Sequence, residues 1–375
     1  MITINDIRPY HDEEVNEVLC SYVRHPMFQA LLDFTFPDKS MQEVVAEVKA
    51  CHSISDFQTR IVYQSIRQVL ERSSDGFTTE GFDRLDPDTA YLFISNHRDI
   101  VLDTSLLNVA LHDHGQIMTA SAIGDNLVRK SFLLALSRLN RNFLIFRKLG
   151  VREMLQSSRV VSSYIRELIT GVNRSVWIAQ REGRTKDGDD RTQQGVLKMI
   201  ALGSDEEDLM PYFKKLKIVP VAISYEFDPT DMLKMPELMA KHYDQEYIKS
   251  ENEDFNSILK GATGQKKRIH ISASAPLAEE LDEIAASGLP VNKQLQMLTE
   301  LIDLRIHKHY RLWPSNYIAY DLLHETSAFA SEYTDKELRQ FQRRILRRVD
   351  DNDPVALENF LKMYANPVVN KMQEA

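Results

Sequence analysis

The chain has 375 residues, 43% hydrophobic and 27% charged, enough apolar content to bury a substantial core in one large domain or a few small ones. A formal charge of −9 argues against general nucleic-acid binding, although a local basic patch could still grip an anion. Cys20 and Cys51 are the only cysteines; two such distant thiols give no disulfide or zinc framework and suit a reducing compartment.

The N-terminal stretch "MITINDIRPYHDEE" is charged and lacks the apolar core of a signal peptide. No uninterrupted apolar run approaches the ~20 residues needed to span a bilayer. The expected location is cytoplasmic, with any membrane contact peripheral and on the inner face. Residues 10 to about 73 read as helices: Val15, Val18, Leu19, Val23 and Leu31 form one stripe, and Phe57, Ile61, Ile66 and Leu70 another. Asp38 or Ser40 could cap a helix through "MQEVVAEVKA". The run "SSDGFTTEGFDRLDPD" reads as a boundary near residues 73 to 88.

Strand candidates follow at 90–95, 116–121, 143–147, 174–180, 217–225 and 268–273, with helical stretches near 103–112, 127–139, 152–170, 193–202 and 231–248. The alternation predicts an α/β fold, a mixed and mainly parallel sheet flanked by helices, with its site beyond strand ends. The resulting division is a helical region over 1–75, an α/β domain over 76–290 and a helical C-terminal extension over 291–375.

"SNHRDIVLD" (95–103) follows the apolar run 91–94 and admits three readings. A kinase-type His-Arg-Asp loop needs an Asn five residues after its Asp, where this chain has Thr104, and no Asp-Phe-Gly follows, so that reading fails. A His/carboxylate pair is the second. His97, just beyond a strand, could accept a proton from an attacking hydroxyl, with Asp103 or Asp99 fixing its tautomer. The third has no chemistry: Asp103 simply caps the helix "TSLLNVALH".

Further special residues stand at or near strand ends: Arg147 after "NFLIF", Glu182-Gly183-Arg184-Thr185-Lys186 after "WIAQR", and Pro220 in "KIVPVAISYEF". Arginines around a glycine suit a phosphate or other oxyanion. In their order, "GFDRLDPDTAYLFISNHRDIVLD", "NFLIFRK", "REGRTKDG" and "IVPVAISYE" resemble the four blocks of the glycerolipid acyltransferases, which include glycerol-3-phosphate and lysophosphatidate acyltransferases. The resemblance covers about residues 80 to 228. The family separates its His and Asp by four residues, whereas five separate His97 from Asp103. Its third block reads Glu-Gly-x-Arg, whereas Arg184 directly follows Gly183. Asp99 therefore stays an alternative to Asp103, and Lys186 could share the role of Arg184.

The resemblance implies direct acyl transfer from an acyl-carrier protein or coenzyme A thioester to a hydroxyl of glycerol-3-phosphate or 1-acylglycerol-3-phosphate. His97 would be the general base and Asp103 its partner. Arg147, Glu182, Gly183, Arg184, Lys186 and Pro220 would form the acceptor site, with no metal or cofactor and with Arg98 incidental. A lyso aminolipid is an alternative acceptor, and a catalytically silent lipid- or carrier-binding scaffold is the non-enzymatic alternative. Residues 126–152 carry seven Lys or Arg and no acid among leucines and phenylalanines. They could touch an anionic membrane or an acyl carrier, or form a buried helix and strand with basic rims. His307 and His309 lack a third ligand at useful spacing, and Trp313, Tyr317 and Tyr320 are expected to pack onto the α/β domain.

Overall fold

The computed structural model describes residues 2–350 and 352–373. Its N-terminal region is helical, as the stripes predict: α1 (Ile4–Ile7), α2 (Asp12–Tyr22), α3 (Pro26–Thr35), α4 (Met41–Lys49), α5 (Ile54–Phe57) and α6 (Tyr63–Ser73). A π-helical stretch at Gln58–Val62 joins the last two. Ser40 starts α4 through a capping box: its Oγ accepts from the Glu43 N–H, and the Glu43 carboxylate accepts from the Ser40 N–H at 2.9 Å. The stripes meet in a small core around Leu19, Phe28, Leu32, Phe57 and Ile61.

Seven strands form one sheet: β1 (Ser74–Glu80), β2 (Leu92–Ser95), β3 (Ala120–Gly124), β4 (Asn142–Ile145), β5 (Val176–Ala179), β6 (Ile218–Tyr225) and β7 (Lys267–Ala273). Their order is β1-β7-β6-β2-β5-β3-β4, and every neighbouring pair is parallel except β6 with β7. The strand expected at 116–121 forms four residues later, at Ala120–Gly124. A larger correction concerns β1, which lies inside the stretch read as a boundary. It pairs with β7 alone and leaves much of its length exposed, so an edge strand here has the polar, glycine-containing composition of a loop.

The helices of the middle region are α7 (Leu102–Asp113), α8 (Ser131–Leu139), α9 (Val151–Arg166), α10 (Gln194–Ala201), α11 (Leu209–Lys215), α12 (Asp231–His242), α13 (Glu253–Thr263) and α14 (Glu279–Ala286). Helices α11 and α13 lie outside the helical stretches that the sequence predicts. Alternation along the strands divides the sheet into two dry faces. Leu92, Ile94, Val176, Ile178, Ile218 and Ala222 face α9 and α10, while Phe93, Trp177, Val219, Val221 and Ile223 face α6 and α7.

The C-terminal region is helical: α15 (Val291–His309), α16 (Pro314–Leu323), α17 (Asp335–Leu346) and α18 (Pro354–Gln373). Leu295, Leu298, Ile302 and Ile306 of α15 nevertheless belong to the same core as Ile94 and Val176. Trp313 packs on β6, its indole N–H 3.4 Å from the Ser224 carbonyl. Tyr320 packs against the cluster that includes Phe227, Met235 and Leu238. Tyr317 and Tyr320 also meet Phe329, in the turn after α16, with centroids 5.1 Å apart in each pair, Tyr317 tilted and Tyr320 edge-on.

Candidate active site

The site begins where β2 runs out. After Ser95 the chain leaves the sheet, and the Asn96 side chain takes over the ladder. Its Oδ1 accepts from the Ile223 N–H at 2.8 Å and its Nδ2 donates to the Ile223 carbonyl at 3.0 Å. His97 follows, its ring edge-on to Trp177 with centroids 5.4 Å apart. Trp177 is itself fixed by an indole N–H donated to Ser95 Oγ at 2.9 Å.

His97 Nδ1 lies 2.7 Å from Asp103 Oδ2. That oxygen also accepts from the backbone N–H of Arg98 at 2.6 Å and of Asp99 at 2.9 Å. Tyr225 Oη donates to the other oxygen, Asp103 Oδ1, at 2.8 Å. Burial, reinforced by Asp103, holds the Tyr225 phenol well above its ordinary pKa, so it stays a donor. A buried carboxylate with four donors is a fixed acceptor for an imidazole N–H. The remaining ring nitrogen, Nε2, is the one available to a proton in transit.

Asp99 does something else. Its Oδ1 accepts from the N–H groups of Val101 at 3.0 Å and Leu102 at 2.9 Å, which caps the start of α7. Its carboxyl is pushed up by burial and by the charge of Asp103. It is pressed against α13: a Cβ built on Gly261 would stand 2.1 Å from Asp99 Oδ2, so only glycine allows this approach. The capping role assigned in one reading to Asp103 therefore belongs to Asp99.

The loop after β5 brings the cationic residues to the same place. The Thr185 N–H donates to the His97 carbonyl at 2.8 Å, which sets Arg184 and Lys186 on either side of that contact. Gly183, at φ +71°, makes the turn. Arg184 is 8% exposed; its Nη2 lies 3.5 Å from Ser257 Oγ, and its buried Nη1 has no hydrogen-bond partner. Lys186 pairs with Glu237 at 2.9 Å, and burial draws its pKa down. Arg147 is further out, at the rim, 3.6 Å from Glu182.

Pro220 is not at a strand end. It is the third residue of β6, buried opposite Ile94. A proline is tolerated in this interior strand because its nitrogen faces the side where β7 has ended and the following chain only donates, from Ser274 to the Pro220 carbonyl at 2.9 Å.

Arg98, expected to be incidental to the chemistry, has a structural place here. It is buried, and its Nη2 donates to Asp190 Oδ2 at 2.5 Å. Burial alone would lower its pKa, but the Asp190 carboxylate holds it above the ordinary value. Asp190, Tyr225 and Trp177 had no sequence signal of their own, because only the strand order puts β5 and β6 on either side of β2.

The segment 126–152 is divided between interior and surface. Phe132, Ala135 and Leu139 of α8 and Phe143 and Leu144 of β4 are buried. Arg129, Lys130, Arg147, Lys148, Val151 and Arg152 remain exposed, Val151 at 90%. Among the described residues no helix is long and apolar enough to cross a membrane. His307 and His309 diverge: His307 Nε2 donates to the Asp190 carbonyl at 2.6 Å, and His309 Nδ1 is 3.3 Å from Ser272 Oγ.

No family model matches the chain, and no curated protein does. Among solved structures, the chain is similar to the 1-acyl-sn-glycerophosphate (LPA) acyltransferase PlsC from Thermotoga maritima. The identity is 12%, over 77% of this chain and 91% of that one, with a TM-score of 0.38. A likeness at that level carries no argument about function, which has to come from the site itself.

Proposed function

We propose that the chain is an O-acyltransferase that moves a fatty acyl group from an acyl-carrier-protein or coenzyme A thioester to a hydroxyl of a phosphate-bearing glycerol acceptor, glycerol-3-phosphate or its 1-acyl derivative. The observation that carries this reading is the His97–Asp103 pair, with Nε2 free, set beside the buried and incompletely paired guanidinium of Arg184. The ordered resemblance of the four blocks supports it.

In the reaction the acceptor hydroxyl oxygen attacks the thioester carbonyl carbon as His97 Nε2 takes its proton. Asp103 stabilises the imidazolium that forms and holds the ring in the required tautomer. The tetrahedral intermediate then collapses, the C–S bond breaks, and the proton passes from His97 to the departing thiolate. The products are an ester and a thiol. Arg184 and Lys186 bind the acceptor's phosphate, and Arg147 and Glu182 form the outer lip. Anchoring the far end of the acceptor turns binding energy into orientation of its hydroxyl. Lys148, Val151 and Arg152, at the end of the 126–152 segment, would make the peripheral contact with an anionic bilayer.

The test is thiol release from an acyl thioester, with glycerol-3-phosphate, 1-acylglycerol-3-phosphate, a lyso aminolipid or no acceptor, for wild type and His97→Ala. Acceptor-dependent release abolished by His97→Ala is the expected result. Transfer only to the lyso aminolipid would replace the acceptor assignment. No transfer to any acceptor would leave a binding scaffold in place of an enzyme, and full activity in His97→Ala would move the base elsewhere.

A further inference from the structure

The loop between β5 and α10 is held from behind by the C-terminal helices, and its contacts run without a break to the residue after His97. Gly188 stands against α18 so closely that a Cβ on it would lie 2.3 Å from the Met363 carbonyl oxygen, and its φ is +79°. Asn366 Nδ2 donates to the Asp187 carbonyl at 2.7 Å, and Arg191 Nη2 to Gln373 Oε1 at 2.6 Å. With its amide turned to satisfy both neighbours, Asn370 donates to Asp189 Oδ1 at 3.0 Å and accepts from the Asp190 N–H at 3.2 Å. From α15, Asp303 accepts the Thr192 N–H at 2.7 Å, and His307 holds the Asp190 carbonyl.

The Asp190 side chain points the other way, into the site's foundations. Its Oδ2 accepts from Arg98 and stands 3.5 Å from Asn96 Nδ2. Arg98 Nη2 also lies 3.4 Å from the Gly188 carbonyl, and its guanidinium faces the Tyr310 ring at 5.9 Å. Arg98 and Asn96 flank His97, and the backbone N–H of Arg98 is one of the donors that fix Asp103. A buried ion pair of this kind is a poor device for stability alone, since desolvation offsets most of its attraction. It is well suited to fixing a geometry.

We propose that Asp190 is a positioning residue, through which α18 sets the placement of His97 relative to Asp103 and to the Arg184–Lys186 loop. The proposal rests on the acyl-transfer reading for its kinetic arm only. Asp190 touches neither substrate nor the reacting atoms; it acts through Arg98 and Asn96.

The test uses the full chain carrying Asp190→Asn, which removes the charge at constant size, and Asn370→Leu, which cuts the α18 contact to Asp189 and Asp190 without altering any charge. Thermal unfolding establishes the folded fraction of each. Acyl transfer is read as separate kcat and KM values across pH, and the His97 ring is titrated by NMR in histidine-labelled protein, its signal assigned by loss in His97→Gln. In both variants kcat should fall between about tenfold and a hundredfold, as expected for misplacement of a reacting group, with the thioester KM unchanged. The His97 titration should move to lower pH as the Asp103 pairing loosens. Arg98→Lys, which keeps the cation, should retain more activity than Arg98→Gln, and it supplies the same comparison if Asp190→Asn does not fold. Folded variants with wild-type kcat and an unmoved His97 titration would overturn the proposal. If wild type transfers no acyl group, the acyl-transfer reading fails while the NMR titration still decides the positioning role.

Discussion

Asp99 caps the helix that carries Asp103. By accepting the N–H groups of Val101 and Leu102, it leaves the Asp103 carboxylate free to hold His97. Two acids four residues apart thus divide the capping of the helix from the holding of the histidine. Asp103→Asn should keep the fold and lower kcat by about 10³- to 10⁴-fold, the cost of presenting the wrong tautomer. Asp99→Ala should instead lower the unfolding free energy by about 1 kcal/mol, the usual worth of a cap, with a far smaller loss in kcat. Paired measurement of kcat and Tm separates them; a larger kcat loss in the Asp99 variant would exchange their roles.

Tyr225→Phe removes one donor from Asp103 and changes nothing else in the pair. Negative charge then concentrates on the carboxylate and favours the imidazolium form of His97. The acid limb of the pH–kcat/KM profile should shift to higher pH, with the basic limb unmoved. A shift to lower pH would mean that the phenol acts on something other than Asp103.

Arg184 should declare itself through the acceptor. Arg184→Ala should lower kcat/KM for a phosphate-bearing acceptor by about ten- to a hundredfold, the range of a lost charge-assisted hydrogen bond. For an acceptor without an anionic group, the loss should be much smaller. Equal losses for both would assign Arg184 to the loop's structure and remove it from binding.

Lys266 offers a pH test of stability. Its ammonium is buried, donating to Ser73 Oγ at 2.6 Å and to the carbonyls of Ala262 and Gly264 at 3.1 and 2.7 Å. Burial lowers its pKa from 10.5 to about 8. Between those values the unfolded chain binds more protons than the folded one, so stability rises with pH across the window. The gain is on the order of 3 kcal/mol at most. Urea unfolding at stepped pH should show that rise in wild type, and Lys266→Met should lack it.

The residues proposed to bear the chemistry were visible in the sequence, and little of what holds them was. His97 and Asp103 were legible because a strand end, a polar cluster and a helix start are adjacent along the chain. The sheet was legible wherever its strands are buried on both faces, as in "VPVAIS" of β6. It was missed at β1, whose exposed residues read as a turn. Between Asp103 and Asp99 periodicity could not choose, because the choice depends on which carboxylate reaches the first N–H groups of α7. Tyr225, Trp177 and Asp190 reach the site only through the order of the strands, and no spacing along the chain encodes that order.

The clasp of α18 on the Gly188–Arg191 loop also bears on when the site comes into being. Asn366 and its loop partner Asp187 are 179 positions apart. During synthesis from the N-terminus, β2, β5 and β6 leave the ribosome long before α18 does. A nascent chain would therefore hold His97, Asp103 and Arg184 without the helix that steadies their loop. Competence for the proposed chemistry would wait for α18 to emerge, after the sheet that displays it has already formed.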